Sequence, residues 1–137
     1  MKTQYVLLVC ALCFLAPAMV SATVNVEYSY AQIYQSNSTV DLVPSTSGNA
    51  GVLNGIKCIF PSNDGGAEMK ITVTLDGTAS SFIIDPSNFE RESNGAGQYL
   101  SGWIPLNTGF NNSIHVQLNN TNLGTATINC WASWWVV

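Results

Sequence analysis

Charge is scarce in this 137-residue chain: 4 Lys or Arg stand against 8 Asp or Glu, and only 9% of residues are charged. So few basic groups leave nothing to neutralise a phosphate backbone, which excludes nucleic acid as a partner. Electrostatic attachment to anionic lipid is disfavoured for the same reason. Long apolar runs are missing beyond residue 22, where Asn, Ser, Thr and Gly interrupt every hydrophobic stretch. No membrane span is expected there, because a spanning helix needs about 20 apolar residues in succession. Helical periodicity is missing too, with no stripe at three- and four-residue spacing.

The familiar signatures of catalysis are equally lacking. No G-x-S-x-G, H-E-x-x-H, P-loop or glycine-rich dinucleotide fingerprint occurs. The single histidine, His115, lies between Ile114 and Val116 on the polar phase of a strand pattern, with no nucleophile motif around it. Paired carboxylates can run glycoside hydrolysis. Here, however, Asp64, Asp76 and Asp85 adjoin Gly or Pro, where a carboxylate caps backbone amides in a turn. Asn63, Asp64 and Glu68 offer oxygen ligands within one loop, but their spacing is not that of an EF-hand. The reading is of a nonenzyme without cofactor or metal; a small hydrolase ranks last among the alternatives.

What is present begins with Lys2, an apolar run over residues 5–15, and Val20-Ser21-Ala22. These are the parts of an export signal, with cleavage expected after Ala22. A domain of 115 residues, 23–137, then remains, with 3 basic against 8 acidic groups once Lys2 is removed. The expected location is secreted or extracellular. Cys10 and Cys13 leave with the signal, so their C-x-x-C spacing is not a redox motif. Cys58 and Cys130 remain and are expected to form one disulfide, closing a 72-residue separation. Asn37, Asn111 and Asn119 each open an N-x-Ser/Thr sequon in turn-like sequence, which marks a glycoprotein if the source glycosylates.

The remainder alternates with a period of two. Val24, Val26, Tyr28 and Tyr30 read as the buried face of a first strand, and Val40 and Leu42 as a short second strand ended by Pro44. Ile56, Cys58 and Phe60 share a face, with Lys57 opposite. Met69, Ile71, Val73 and Leu75 alternate cleanly up to Asp76-Gly77, a hairpin turn, and Phe82 and Ile84 return on the inner face. Residues 87–97 read as a loop. Residues 99–106 read as one strand with Leu100, Ile104 and Leu106 on one side and Tyr99, Ser101 and Trp103 on the other. Ile114, Val116 and Leu118 make another strand, and the last runs from Thr125 onward. The fold class is all-β: an antiparallel β-sandwich or jelly roll of about eight strands with one disulfide.

Residues 125–130 are similar to the second-cysteine strand of immunoglobulin domains over six residues. The Trp which that family carries about a dozen residues after its first Cys is absent here. Membership is not assigned.

The C-terminal Cys130-Trp131-Ala132-Ser133-Trp134-Trp135-Val136-Val137 is the unusual feature. As a strand it turns Cys130, Ala132, Trp134 and Val136 inward and Trp131, Ser133 and Trp135 outward. The two outer indoles then stand roughly 13 Å apart, a spacing suited to successive sugar rings. Trp103 and Tyr99 extend that platform if their strand is adjacent. The expected function is a noncatalytic carbohydrate-binding or cell-adhesion module whose ligand-binding residues are Trp131, Ser133, Trp135, Trp103 and Tyr99. The partner is then a polysaccharide or other glycan. The alternative is a self-assembling coat or extracellular-matrix protein whose aromatic strip contacts protein.

Overall fold

In the computed structural model the described residues are 25–34, 37–61, 68–85, 90–91, 98–121 and 127–137. The export segment with its cleavage point, Cys10, Cys13, Asn63 and Asp64 lie outside them. The strands are β1 (Asn25–Ile33), β2 (Thr39–Ser47), β3 (Gly51–Phe60), β4 (Met69–Leu75), β5 (Thr78–Ile84), β6 (Glu90–Arg91), β7 (Tyr99–Leu100), β8 (Ile104–Phe110), β9 (Ser113–Asn120) and β10 (Ile128–Val136). All pairings are antiparallel. One sheet runs β1-β10-β3-β7-β6 with β8 also on β3; the other runs β2-β9-β4-β5. Packed face to face, they make the expected β-sandwich.

The inner faces explain the alternation. Ile56, Cys58 and Phe60 of β3 meet Met69, Ile71 and Val73 of β4 and Ile114, Val116 and Leu118 of β9 in one core cluster. Cys58 and Cys130 stand directly opposite each other on β3 and β10 and form the expected disulfide, with Cα atoms 4.2 Å apart. That bridge joins neighbours within one sheet, whereas the immunoglobulin bridge crosses between sheets.

The strands differ from the sequence pattern in four places. β1 is inverted in phase: Val26, Tyr28 and Tyr30 are exposed, while Ala31 and Ile33 are buried. The cause is register. Ala31 stands opposite Cys130, so the disulfide side of β10 fixes which β1 residues face inward, and Tyr30 goes outward with Trp131. β2 continues past Pro44 to Ser47, with register shifts on either side of Val43. A proline is tolerated there because β2 is the edge of its sheet and its ladder is irregular. The span 99–106 divides into β7 and β8 at Gly102, which adopts φ +60°. The segment read as a loop, 87–97, contains the short strand β6.

Candidate functional site

The two outer faces carry opposite chemistry. On the four-stranded sheet, β2, β9 and β4 present Thr39, Asp41, His115, Gln117, Asn119, Lys70 and Thr72, a polar surface. His115 Nε2 lies 2.8 Å from Asp41 Oδ1, and Gln117 Nε2 donates to the same oxygen at 3.1 Å. The His115 bond, with Gln117 after it, holds the Asp41 carboxyl below its usual value. His115 is therefore partnered by a carboxylate that the sequence did not single out, 74 positions away. Among the described residues neither a serine hydroxyl nor a thiol bonds to it.

The six-stranded sheet presents an aromatic strip instead. Trp131 of β10 stands between Tyr30 of β1 and Lys57 of β3 in the strand register. The Tyr30 and Trp131 ring centroids are 5.2 Å apart with planes tilted by 43°. Tyr30 is oriented from its far end: its hydroxyl donates to Asn129 Oδ1 at 2.7 Å, and Gln32 Nε2 donates to that oxygen at 3.1 Å. The Lys57 ammonium lies 4.9 Å from the Trp131 ring centroid and 5.4 Å from that of Trp103. Tyr30, Trp131, Lys57 and Trp103 thus follow one another across the strands.

Trp103 reaches this strip from the break between β7 and β8. Ser101 fastens that break to β3: its N–H donates to the Cys58 carbonyl at 3.0 Å, and its Oγ accepts from the Cys58 N–H at 2.7 Å. The left-handed Gly102 then turns the chain so that Trp103 projects outward, about half exposed. Beside the strip lies a shallow groove of ≈ 390 Å³ lined by Tyr28, Asn54, Gly55, Trp103, Pro105 and Ser133. Small residues make its floor. Gly55 has no side chain, and Ser133 is 9% exposed with its Oγ accepting from Asn54 Nδ2 at 3.3 Å.

Of the residues singled out in the sequence, Trp131 and Trp103 are brought together through Lys57. Ser133 lines the groove but is largely buried. Trp135 lies on the outer phase of β10, half-buried between Val26 and Val52 in register, and makes no ring contact with Trp131 among the described residues. Trp134 is buried, as its phase predicts. Tyr99 packs against the core rather than joining the strip. It stands opposite the buried Phe60, and the turn at Gly102 breaks the phase it was expected to share with Trp103. Sequence reasoning missed Tyr28, Tyr30 and Lys57. The signal for the tyrosines was the competing inward phase of Ala31 and Ile33.

A second concavity, ≈ 420 Å³, opens between the sheets where β5 and β8 end them, with Leu53, Val73, Leu75, Phe82 and Leu106 in its wall. The sequons are placed unequally. Asn37 lies in a turn at φ +55° and Asn111 in the bend between β8 and β9, both exposed. Asn119 sits within β9 rather than in a turn, half-buried, its Nδ2 donating to Thr39 Oγ1 at 3.2 Å. No helix among the described residues is long and apolar enough to cross a membrane.

The chain matches no protein-family model and no curated protein. It is similar to a solved structure of dimeric latent PorU from Porphyromonas gingivalis, at 16% identity and a TM-score of 0.26. The match covers 80% of this chain and 10% of that one, so this chain spans about a tenth of its length. A likeness that slight carries no argument.

Proposed function

We propose that this chain is an exported, noncatalytic carbohydrate-binding module that acts in adhesion or in an extracellular coat, with glycans at Asn37, Asn111 and Asn119 where the source glycosylates. One observation carries the reading. Tyr28, Tyr30 and Trp103, each about half exposed or more, gather with Trp131 on one face of the six-stranded sheet, beside a groove floored by Gly55 and Ser133. Flat ring faces offer apolar surface to the C–H face of a pyranose, and Asn54 and the Tyr30 hydroxyl supply polar groups for its hydroxyls. Contiguous exposed aromatics on a folded domain mark a contact surface rather than core.

The test is co-sedimentation with insoluble cellulose, chitin and mannan, comparing the wild type with the Trp103→Ala, Trp131→Ala double variant. Wild type is expected in the pellet and the variant in the supernatant. Equal retention of both dismisses the stacking role.

A second reading, association between copies through the strip, is favoured by one further observation. Among the described residues β1 is the last strand of its sheet, and it carries exposed Val26, Tyr28 and Tyr30. Concentration-dependent oligomers in sedimentation velocity, lost on Tyr28→Ser with Tyr30→Ser, would favour it over glycan binding.

A further inference from the structure

We propose that the strip selects acidic over neutral saccharides, with the Lys57 ammonium as the specificity-determining group; this rests on the carbohydrate-binding reading above. The starting point is how few cations the chain has, 4 in all, and where they lie. Lys70 belongs to β4, on the polar face of the other sheet. Among the described side chains, Lys57 is the one cation on the aromatic face, and it is at the centre of the strip rather than at its margin.

The geometry holds that ammonium in place without neutralising it. Nζ lies 4.9 Å and 5.4 Å from two indole centroids, so apolar ring faces flank it on two sides. Among the described residues no carboxylate is within ion-pair distance, the one such pair being His115 with Asp41 on the opposite face. An ammonium has three donors, and an aromatic face takes none of them as a hydrogen bond to oxygen. Among the described residues its charge is therefore positioned and still unmatched. A ligand that stacks a pyranose on Trp103 or Trp131 brings its ring substituents beside Nζ, and a carboxylate there meets a full positive charge partly shielded from water. Packing alone does not need that charge, since an uncharged stem of equal length would fill the space between the indoles. The polarity is notable in a chain that is acidic as a whole: general electrostatics disfavour an anionic ligand, so recognition has to be local.

The experiment is isothermal titration of the full chain with cellohexaose and mannohexaose, each also supplied with its primary hydroxyls oxidised to carboxylates. Wild type is expected to bind the oxidised form of at least one of them about 10-fold more tightly than the neutral form, the yield of a charge-assisted hydrogen bond. Raising NaCl from about 0.05 M to about 0.5 M should erode that preference in the wild type and leave neutral binding unchanged. Lys57→Met should abolish the preference, so that the oxidised and neutral forms bind with equal affinity and the ratio no longer responds to salt. Equal affinity of the wild type for neutral and oxidised forms, or a preference that ignores salt and survives Lys57→Met, overturns this inference and leaves the carbohydrate reading standing. Failure of the wild type to bind any of the four overturns both.

Discussion

Gly55 shows how little room the candidate site leaves for change. A Cβ at this position would lie 2.6 Å from the Ile104 carbonyl oxygen and 3.6 Å from the Pro105 Cα, backbone atoms that cannot swing aside. Gly55→Ala is expected to push β8 off β3, lowering stability by about 1–3 kcal/mol in urea denaturation and weakening glycan retention through Trp103. Gly109 is the control on the same pair of strands. Its nearest neighbour would be the Gly51 oxygen at 3.8 Å, ordinary contact, so Gly109→Ala should shift stability by less than about 1 kcal/mol. Asp76 makes a second argument of this kind. Its carboxylate accepts from the N–H groups of Asn111, Ser113 and Asn112 at 2.7–2.9 Å, which hold its pKa below the usual value of 3.8. A depressed carboxyl contributes stability in full above its unfolded pKa and loses it as pH falls through the folded one. Unfolding midpoints taken from pH 6 down to pH 2 should therefore drop below about pH 4. Asp76→Asn should flatten part of that drop; Asp41, which His115 depresses in the same direction, contributes another part.

The break between β7 and β8 decides whether Trp103 belongs to the strip. Ser101 replaces a strand residue there by closing two hydrogen bonds with Cys58, and only then does Gly102 turn the chain. Ser101→Ala removes the acceptor of the Cys58 N–H and should cost about 1–2 kcal/mol in denaturant unfolding. It should also reduce saccharide binding, although Ser101 is not among the groove's lining residues. Alternation of period two found most of the strands in the sequence, because each has one face in the core: β4 was read residue for residue, and β9 up to Leu118, although Asn119 and Asn120, read as a turn, continue the strand. It did not find this break, since a turn imposed by a partner 43 positions away leaves no local trace beyond one glycine. Nor did it settle the phase of β1. Tyr28 and Tyr30 are as apolar to a pattern as Ala31 and Ile33, and the choice between them was made by Cys130 across the ladder. A one-residue phase difference then moved two tyrosines from the expected core to the candidate site. The cysteine pair was legible from number and context alone, and the inward phase of Trp134 from its neighbours.

Taken whole, the sandwich has one polar face, one aromatic face and, among the described residues, one covalent tie, between β3 and β10. The loop closed by Cys58 and Cys130 spans 72 positions and holds β4 to β9 within it. By loop entropy such a bridge is worth roughly 4 kcal/mol, a large share of a domain stability of about 5–15 kcal/mol. Differential scanning calorimetry with and without reductant should show the melting temperature falling by more than about 10 °C on reduction. An unchanged melting temperature would mean that core packing and the strand ladders set the stability without the bridge.

The same tie governs how the protein responds to cleavage. A protease that cuts any connection between β4 and β9 severs the backbone inside the covalent ring, and both halves stay linked through sulfur. The nicked molecule would therefore run as a single band on a denaturing gel without thiol and separate into two only when thiol is added. In an oxidising, protease-rich setting that is durability by topology: hydrolysis of one peptide bond releases no fragment, and the aromatic strip keeps the Cys58-to-Cys130 strands that carry it.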